Sequence, residues 1–174
     1  PYTFQIVNNV AIMEIKSMTN IEEFRKFARE SFEKIRTTGV DNLIIDLRKN
    51  WGGDSRVGDE LLRYIAQQEF RQFSFVKMKA SKEIKEYLRE DEYIRDYYRS
   101  FLPEEVRDQP LEEVSSVYKK VFAAEDGDII TFERQFKEPK EDYHFTGQSF
   151  ILTSANTYSS ALSCVLAVKD FELA

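Results

Sequence analysis

Two short segments of this sequence carry residue types and spacing that could do chemistry. The first is Asp46-Leu47-Arg48-Lys49-Asn50-Trp51-Gly52-Gly53-Asp54-Ser55. Gly52 and Gly53 lack side chains, so a substrate carbonyl or an anion can approach their backbone N–H groups closely. Glycine pairs also simply make turns, and the Gly-Lys-Ser/Thr run of a phosphate loop is missing. The second segment is Ser154-Ala155-Asn156-Thr157-Tyr158-Ser159-Ser160-Ala161. A serine at a helix start presents its hydroxyl at the positive end of the helix dipole, where backbone donors can stabilise an oxyanion. The plain alternative is that Ser and Thr are common helix caps.

These segments need elements to hold them, and the apolar spacing supplies candidates. Val10 to Ile15 reads as a strand, with Tyr2 to Val7 as its partner across an Asn8-Asn9 turn. Ile21, Phe24, Ala28, Phe32 and Ile35 recur at helical spacing, with Asn20 and Glu23 forming a capping box and Gly39 ending the helix. Asn42 to Leu47 is a short apolar run typical of a strand covered on both faces. It leads into the glycine turn, and a second helix follows over about 55–67 with Val57, Leu61, Leu62 and Ile65 inward. Phe73 to Lys79 alternates like a third strand of the core. This order predicts an α/β fold with parallel pairing and crossover helices. Ser149 to Thr153 repeats the register of the Leu43 strand, and a helix over 159–169 follows it. Both candidate segments therefore sit on strand–turn–helix corners.

Composition narrows the function. The chain has 174 residues, about the length of one ordinary domain, and its net charge of −6 argues against a general nucleic-acid binder. No apolar run reaches the roughly 20 residues of a spanning helix. One cysteine, Cys164, excludes an internal disulfide and reads as a small buried hydrophobe, and one histidine, His144, makes a His-ligated metal centre improbable. No cofactor or metal is expected. Residues 81–113 hold 11 acidic and 6 basic residues, which is −5 of the net −6, and their pattern is helical. This predicts three stretches: core over 1–80, an acidic helical insertion or lid over 81–127, and core again over 128–174. Here Asp128 to Phe132 and Phe136 form an outlying hairpin, and the tyrosines at 93, 97 and 98 serve helix packing. Trp51 either lines a cleft or shields the glycine loop. The start at Pro1 and a new apolar segment over 169–174 suggest a piece of a longer protein.

The run Asp46-Leu47-Arg48-x-Asn50-x-Gly52-Gly53 resembles the corresponding segment of the C-terminal processing (tail-specific) serine peptidases, a family related to the tricorn core. Thr157-x-Ser159-Ser160-Ala161 resembles that family's nucleophile segment, and the two occur in the family's order about a hundred residues apart. The resemblance implies a crotonase/Clp-protease-like β-β-α spiral and a serine endopeptidase acting on protein or peptide chains. It further implies Ser159 as the catalytic nucleophile, with oxyanion-hole donors from the Ser160 N–H and from either Gly52 or Gly53. Asp46 and Arg48 fall on motif positions read as buttresses of the glycine turn. A location outside the cytoplasm, periplasmic or at the cell envelope, goes with the resemblance.

A serine hydroxyl needs a base. The tail-specific branch uses a lysine beyond the nucleophile helix, and the tricorn branch uses an upstream histidine. Lys169 lies ten residues along the same helix, on the order of 15 Å away, and His144 is the sole histidine. The base is therefore expected outside these residues, and the piece alone is expected to be inactive. A binding module for hydrophobic ligands or peptides on the same fold is the alternative; an acyl-CoA enzyme of the crotonase type is a third reading.

Overall fold

A computed structural model of the chain describes residues 1–173; the expected C-terminal apolar segment runs on to Ala174, outside the described residues. In chain order the first elements are β1 (Tyr2–Val7), β2 (Val10–Ile15), α1 (Ile21–Thr38), β3 (Asn42–Asp46) and α2 (Ser55–Ile65). Next come β4 (Phe75–Lys79), α3 (Lys82–Glu90), α4 (Glu92–Arg99), a short 3-10 turn (Glu104–Val106), α5 (Leu111–Val114) and α6 (Ser116–Ala123). The chain continues through β5 (Ile129–Glu133) and β6 (Gln148–Leu152) to α7 (Ser160–Asp170). Two compact units result, one of residues 1–73 with 135 onward and one of residues 74–134.

The first unit is an α/β sandwich built on a sheet of order β1-β2-β3-β6. β1 and β2 pair antiparallel through Asn8 and Asn9, whose φ angles of 49° and 62° suit a tight hairpin in which asparagine tolerates the left-handed region. β2, β3 and β6 run parallel, as the alternation of strands and helices predicts. The register sets Ala11, Leu43 and Ser149 in one row and Met13, Ile45 and Ile151 in another. Helical residues Phe24 and Phe32 (α1), Leu61 and Leu62 (α2), and Ala161 and Cys164 (α7) share one buried core with this face. The opposite face carries the row Ile12, Ile44, Phe150, and Phe150 is 48% exposed. The strand at Leu43 is thus covered fully on one face, not on both as expected. Its alternating burial arises because α1, α2 and α7 all contribute to the same core.

Caps end the helices where the sequence places them. The Asn20 side chain accepts from the Glu23 N–H and donates to the Glu23 carboxylate at 3.1 Å. Gly39 adopts φ 67° and its N–H closes the last turn on Ile35 and Arg36. At the start of α2, Asp54 accepts from the Arg56 N–H at 2.9 Å, and its carboxylate also pairs with the Arg56 guanidinium.

In the second unit β4 pairs antiparallel with β5. The stretch over 73–79 is therefore not a strand of the parallel core. It belongs with the acidic helices, because its register partners are the residues that return the chain after them. The unit so formed, residues 74–134, is wider than the 81–127 stretch marked by composition. Its small core centres on Leu88, Leu111, Tyr118 and Val121, and the Tyr118 hydroxyl donates to the Leu88 carbonyl at 2.7 Å. Tyr98 packs edge-on against Tyr118, whereas Tyr93 is 78% exposed.

Cys164 lies fully buried behind α2, its Cβ close to Gly58, and burial pushes its thiol up to about 12. A thiol of that kind is protonated and shielded at pH 8. We expect no reaction with a thiol-exchange reagent at pH 8 in the native full-length protein and one equivalent from this cysteine in denaturant. Rapid native labelling of Cys164 would contradict the packing described.

Candidate active site

The carboxyl ends of β3 and β6 lie side by side, and the Leu47 N–H donates to the Leu152 carbonyl at 2.9 Å to extend the ladder. Beyond that point neither chain can continue as sheet, because one turns through Gly52 and Gly53 and the other enters α7. The two exit loops instead bond to each other. The Thr157 hydroxyl, buried, donates to the Leu47 carbonyl at 2.9 Å. The Ser154 hydroxyl donates to the Arg48 carbonyl, and the Tyr158 N–H donates to the Asn50 carbonyl at 3.0 Å. Thr157 Oγ1 also accepts from the Ser154 N–H at 3.0 Å, which shapes its own loop.

Asn50 holds the glycine turn. It is fully buried, and its amide donates to the Ile15 carbonyl at 2.9 Å while its Oδ1 accepts the Gly52 N–H at 2.8 Å. Asp46 and Arg48, expected to buttress that turn, pair with each other at the end of β3, with Arg48 Nη2 2.7 Å from Asp46 Oδ2. The Arg48 side chain is largely exposed. Asp46 Oδ1 also accepts the Arg48 N–H at 3.0 Å, which shapes the chain entering the turn, and Asn50 holds the turn itself. A signal for Asn50 existed: an Asn two residues before a Gly is the pattern of a side chain that caps its own turn. Thr157 had a comparable signal, a hydroxyl at the mouth of a helix, although its carbonyl partner 110 residues away was not readable.

The two glycines are required for different contacts. Gly52 has φ 98°, and a Cβ there would stand 2.6 Å from Ser159 Cβ and 2.8 Å from the Tyr158 carbonyl oxygen. Gly53 has φ 135°, and a Cβ would stand 2.0 Å from the Met18 carbonyl oxygen. The Gly52 carbonyl accepts from the Met18 N–H at 2.9 Å, and the Asp54 N–H donates to the Met18 carbonyl, so the turn is stitched to the chain leaving β2. Within this stitching the Gly53 N–H has no acceptor among the described residues.

Ser159 precedes the first residue of α7 with φ 51° and ψ −127°, a strained conformation for a residue with a side chain. Its side chain makes no hydrogen bond among the described residues, and the residue is exposed. The next N–H groups are used differently: Ala161 donates to the Tyr158 carbonyl at 3.1 Å and Ser163 to the Ser159 carbonyl at 3.0 Å. The Ser160 N–H, like that of Gly53, lacks an acceptor among the described residues, and the Ser160 hydroxyl is buried without a partner. The structure thus brings Ser159 against Gly52. No acid occupies the first turn of α7, so its positive end is uncompensated there. Trp51, 67% exposed, is not packed over the glycine loop.

His144 is elsewhere. Its Nε2 lies 2.7 Å from the Ala66 carbonyl at the C-terminal end of α2, while the glycine turn is at the N-terminal end, about 16 Å away for 11 residues. Lys169 sits in the last turn of α7, at the far end from Ser159.

Replacing Thr157 by Val keeps the shape but strands the Ser154 N–H and takes one of two donors from the Leu47 carbonyl, which keeps the Asn50 N–H at 3.0 Å. We expect a loss of about 1–2 kcal/mol in denaturant unfolding of the full-length protein, with Thr157→Ser close to wild type. The hydrogen bonds from Arg48 hold the Asp46 carboxyl below its usual value. Stabilisation by that pair is therefore present above the ordinary carboxylate range and lost as pH falls through the lowered folded-state value. The melting-temperature gap between wild type and Asp46→Asn should be open at pH 7 and narrow as the pH falls below the ordinary carboxylate range; a constant gap would contradict the pairing.

Comparison with known proteins agrees with this architecture. The chain is similar in fold to the photosystem II D1 C-terminal processing protease (TM-score 0.53, 13% identity, 99% of this chain and 34% of that one). It is similar to mature CPAF (TM-score 0.57, 15% identity, 99% and 38%). A putative peptidase from Parabacteroides merdae gives a TM-score of 0.52 at 8% identity, covering 99% and 41%. The chain therefore spans between a third and a half of the length of these solved structures. Comparison with curated proteins gave no match. The sequence model of peptidase family S41 matches residues 9–174, and the chain belongs to that family.

Proposed function

We propose that this chain carries the nucleophile and the oxyanion site of a serine endopeptidase of the tail-specific type. The observation that carries the reading is the pair of N–H groups without an acceptor among the described residues, Gly53 and Ser160, on the two loops that meet at the strained and exposed Ser159. The Ser159 hydroxyl attacks the carbonyl carbon of a peptide bond, and the carbonyl oxygen takes up the negative charge. Two backbone donors and the start of α7 stabilise that charge where it develops, without reorganising. Expulsion of the amine leaves an acyl-enzyme on Ser159, which water then hydrolyses.

Of the two glycines left open by the motif, Gly53 is the donor in this mechanism. The Gly52 N–H is already given to Asn50 Oδ1, and the role of Gly52 is to leave room for Ser159. The proton of Ser159 goes to a base that these residues do not supply, since His144 and Lys169 both lie at remote helix ends. These residues alone are accordingly inactive in this reading. Family resemblance favours a protein or peptide substrate and a place outside the cytoplasm; recovery of the parent protein in the cytosolic fraction would remove that placement.

The test uses the full-length parent and a fluorophosphonate probe. Wild type should be labelled and Ser159→Ala should not; equal labelling of both would remove Ser159 as nucleophile.

A further inference from the structure

On the first unit, away from the Ser159 corner, an open depression of about 440 Å³ lies between α1 and α2. Its α1 wall presents Arg25, Lys26 and Arg29, which spacing puts on one helix face. Its other wall is Arg63 on α2 together with Lys140, with Glu60 between them. This concentrates five cations and two carboxylates, Glu22 and Glu60, in a chain whose net charge is −6.

The cations are not equally committed. Glu60 is buried, with Oε1 2.7 Å from Lys140 Nζ and Oε2 3.8 Å from Arg63 Nη1, so a single carboxylate serves two cations. Backbone bonds fix both: Arg63 Nε donates to the Glu138 carbonyl at 3.0 Å, and the Lys140 N–H donates to the Arg63 carbonyl at 2.7 Å. Lys140 Nζ also sits 4.6 Å over the Tyr64 ring, itself stacked on Phe32 at 4.3 Å. On the facing wall Arg25 is paired with Glu22 at 2.7 Å. Lys26 and Arg29 have no ion-pair partner among the described residues. Among the residues lining the depression, cations therefore outnumber carboxylates by three. Like charges held together repel one another, and an anion between them converts the repulsion into attraction.

We propose that this depression binds a small polyanion with two or three negative charges, either phosphate-bearing or polycarboxylate. The volume exceeds what one inorganic phosphate fills and lies within the range of small-molecule sites. Apart from the Tyr64 ring the walls are charged, which selects a hydrophilic ligand over an apolar one. The site is independent of the peptidase reading and stands or falls without it.

Calorimetric titration of the full-length protein with pyrophosphate and, separately, with citrate tests this. At least one should bind saturably to one site and raise the melting temperature; which one does so distinguishes the two chemistries. Lys26→Gln with Arg29→Gln alters only exposed helical positions, and we expect at least a roughly tenfold weaker dissociation constant for the double variant. Binding should also weaken as salt rises, since the walls are solvent-facing. Two results would overturn the proposal: no saturable binding of either probe to wild type, or equal affinity in the double variant. Retention of fluorophosphonate labelling in the same preparation shows whether the Ser159 reading survives that failure.

Discussion

The corner where β3 and β6 stop being a sheet depends on three backbone carbonyls. Leu47, Arg48 and Asn50 follow the last β3 residues, and each carbonyl takes a donor from the loop before α7. Backbone groups at a strand end need partners once the ladder stops, and burial makes an unmet group costly. Here the acceptors of one loop take the hydroxyls and an N–H of the other, the Leu47 carbonyl in addition to the Asn50 N–H of its own loop. Two segments about a hundred residues apart in sequence are thereby fixed to each other within hydrogen-bond tolerance. The parallel pairing of the two strands is what makes the arrangement possible, since it brings both carboxyl ends to the same edge.

Asn50 extends the clamp to a third segment. With its amide on Ile15 and its carbonyl side-chain oxygen on Gly52, it joins the end of β2 to the glycine turn. The same turn is stitched to Met18, so the three neighbouring strands β2, β3 and β6 all deliver chain to one place. Steric exclusion then does what hydrogen bonding cannot. The absence of a side chain at Gly52 lets the Ser159 Cβ and the Tyr158 and Ser160 backbone approach, and Ser159 sits at a positive φ that an isolated serine would avoid. The surrounding bonds hold the strain in place, consistent with the site being built on rigid elements rather than on a free loop.

Charge is distributed by unit. The acidic stretch over 81–113 belongs to the unit of residues 74–134, which has its own small core around Tyr118. The first unit contains the opposite feature, a depression with more cations than carboxylates. A single net charge for the chain conceals both, because the long-range potential of a surface depends on where charges sit and not on their sum.

Local chemistry was legible in the sequence. The caps at Asn20 and Gly39, the Asn8-Asn9 hairpin, the parallel strands and the two strand–turn–helix corners follow from propensity and periodicity, which act over a few residues. The candidate nucleophile and both glycines were also visible as residue types at spaced positions. Partnership over long separations was not. The pairing of β4 with β5, the exposure of one sheet face, and the hold of Asn50 on both Ile15 and Gly52 all depend on what lies across space. So does the difference between the glycines: the Gly52 N–H is taken by Asn50, whereas the Gly53 N–H has no acceptor among the described residues. Sequence alone determined which residue types stand at the two corners; tertiary structure decided which of their backbone groups find acceptors among the described residues, because those partners are brought together only across space.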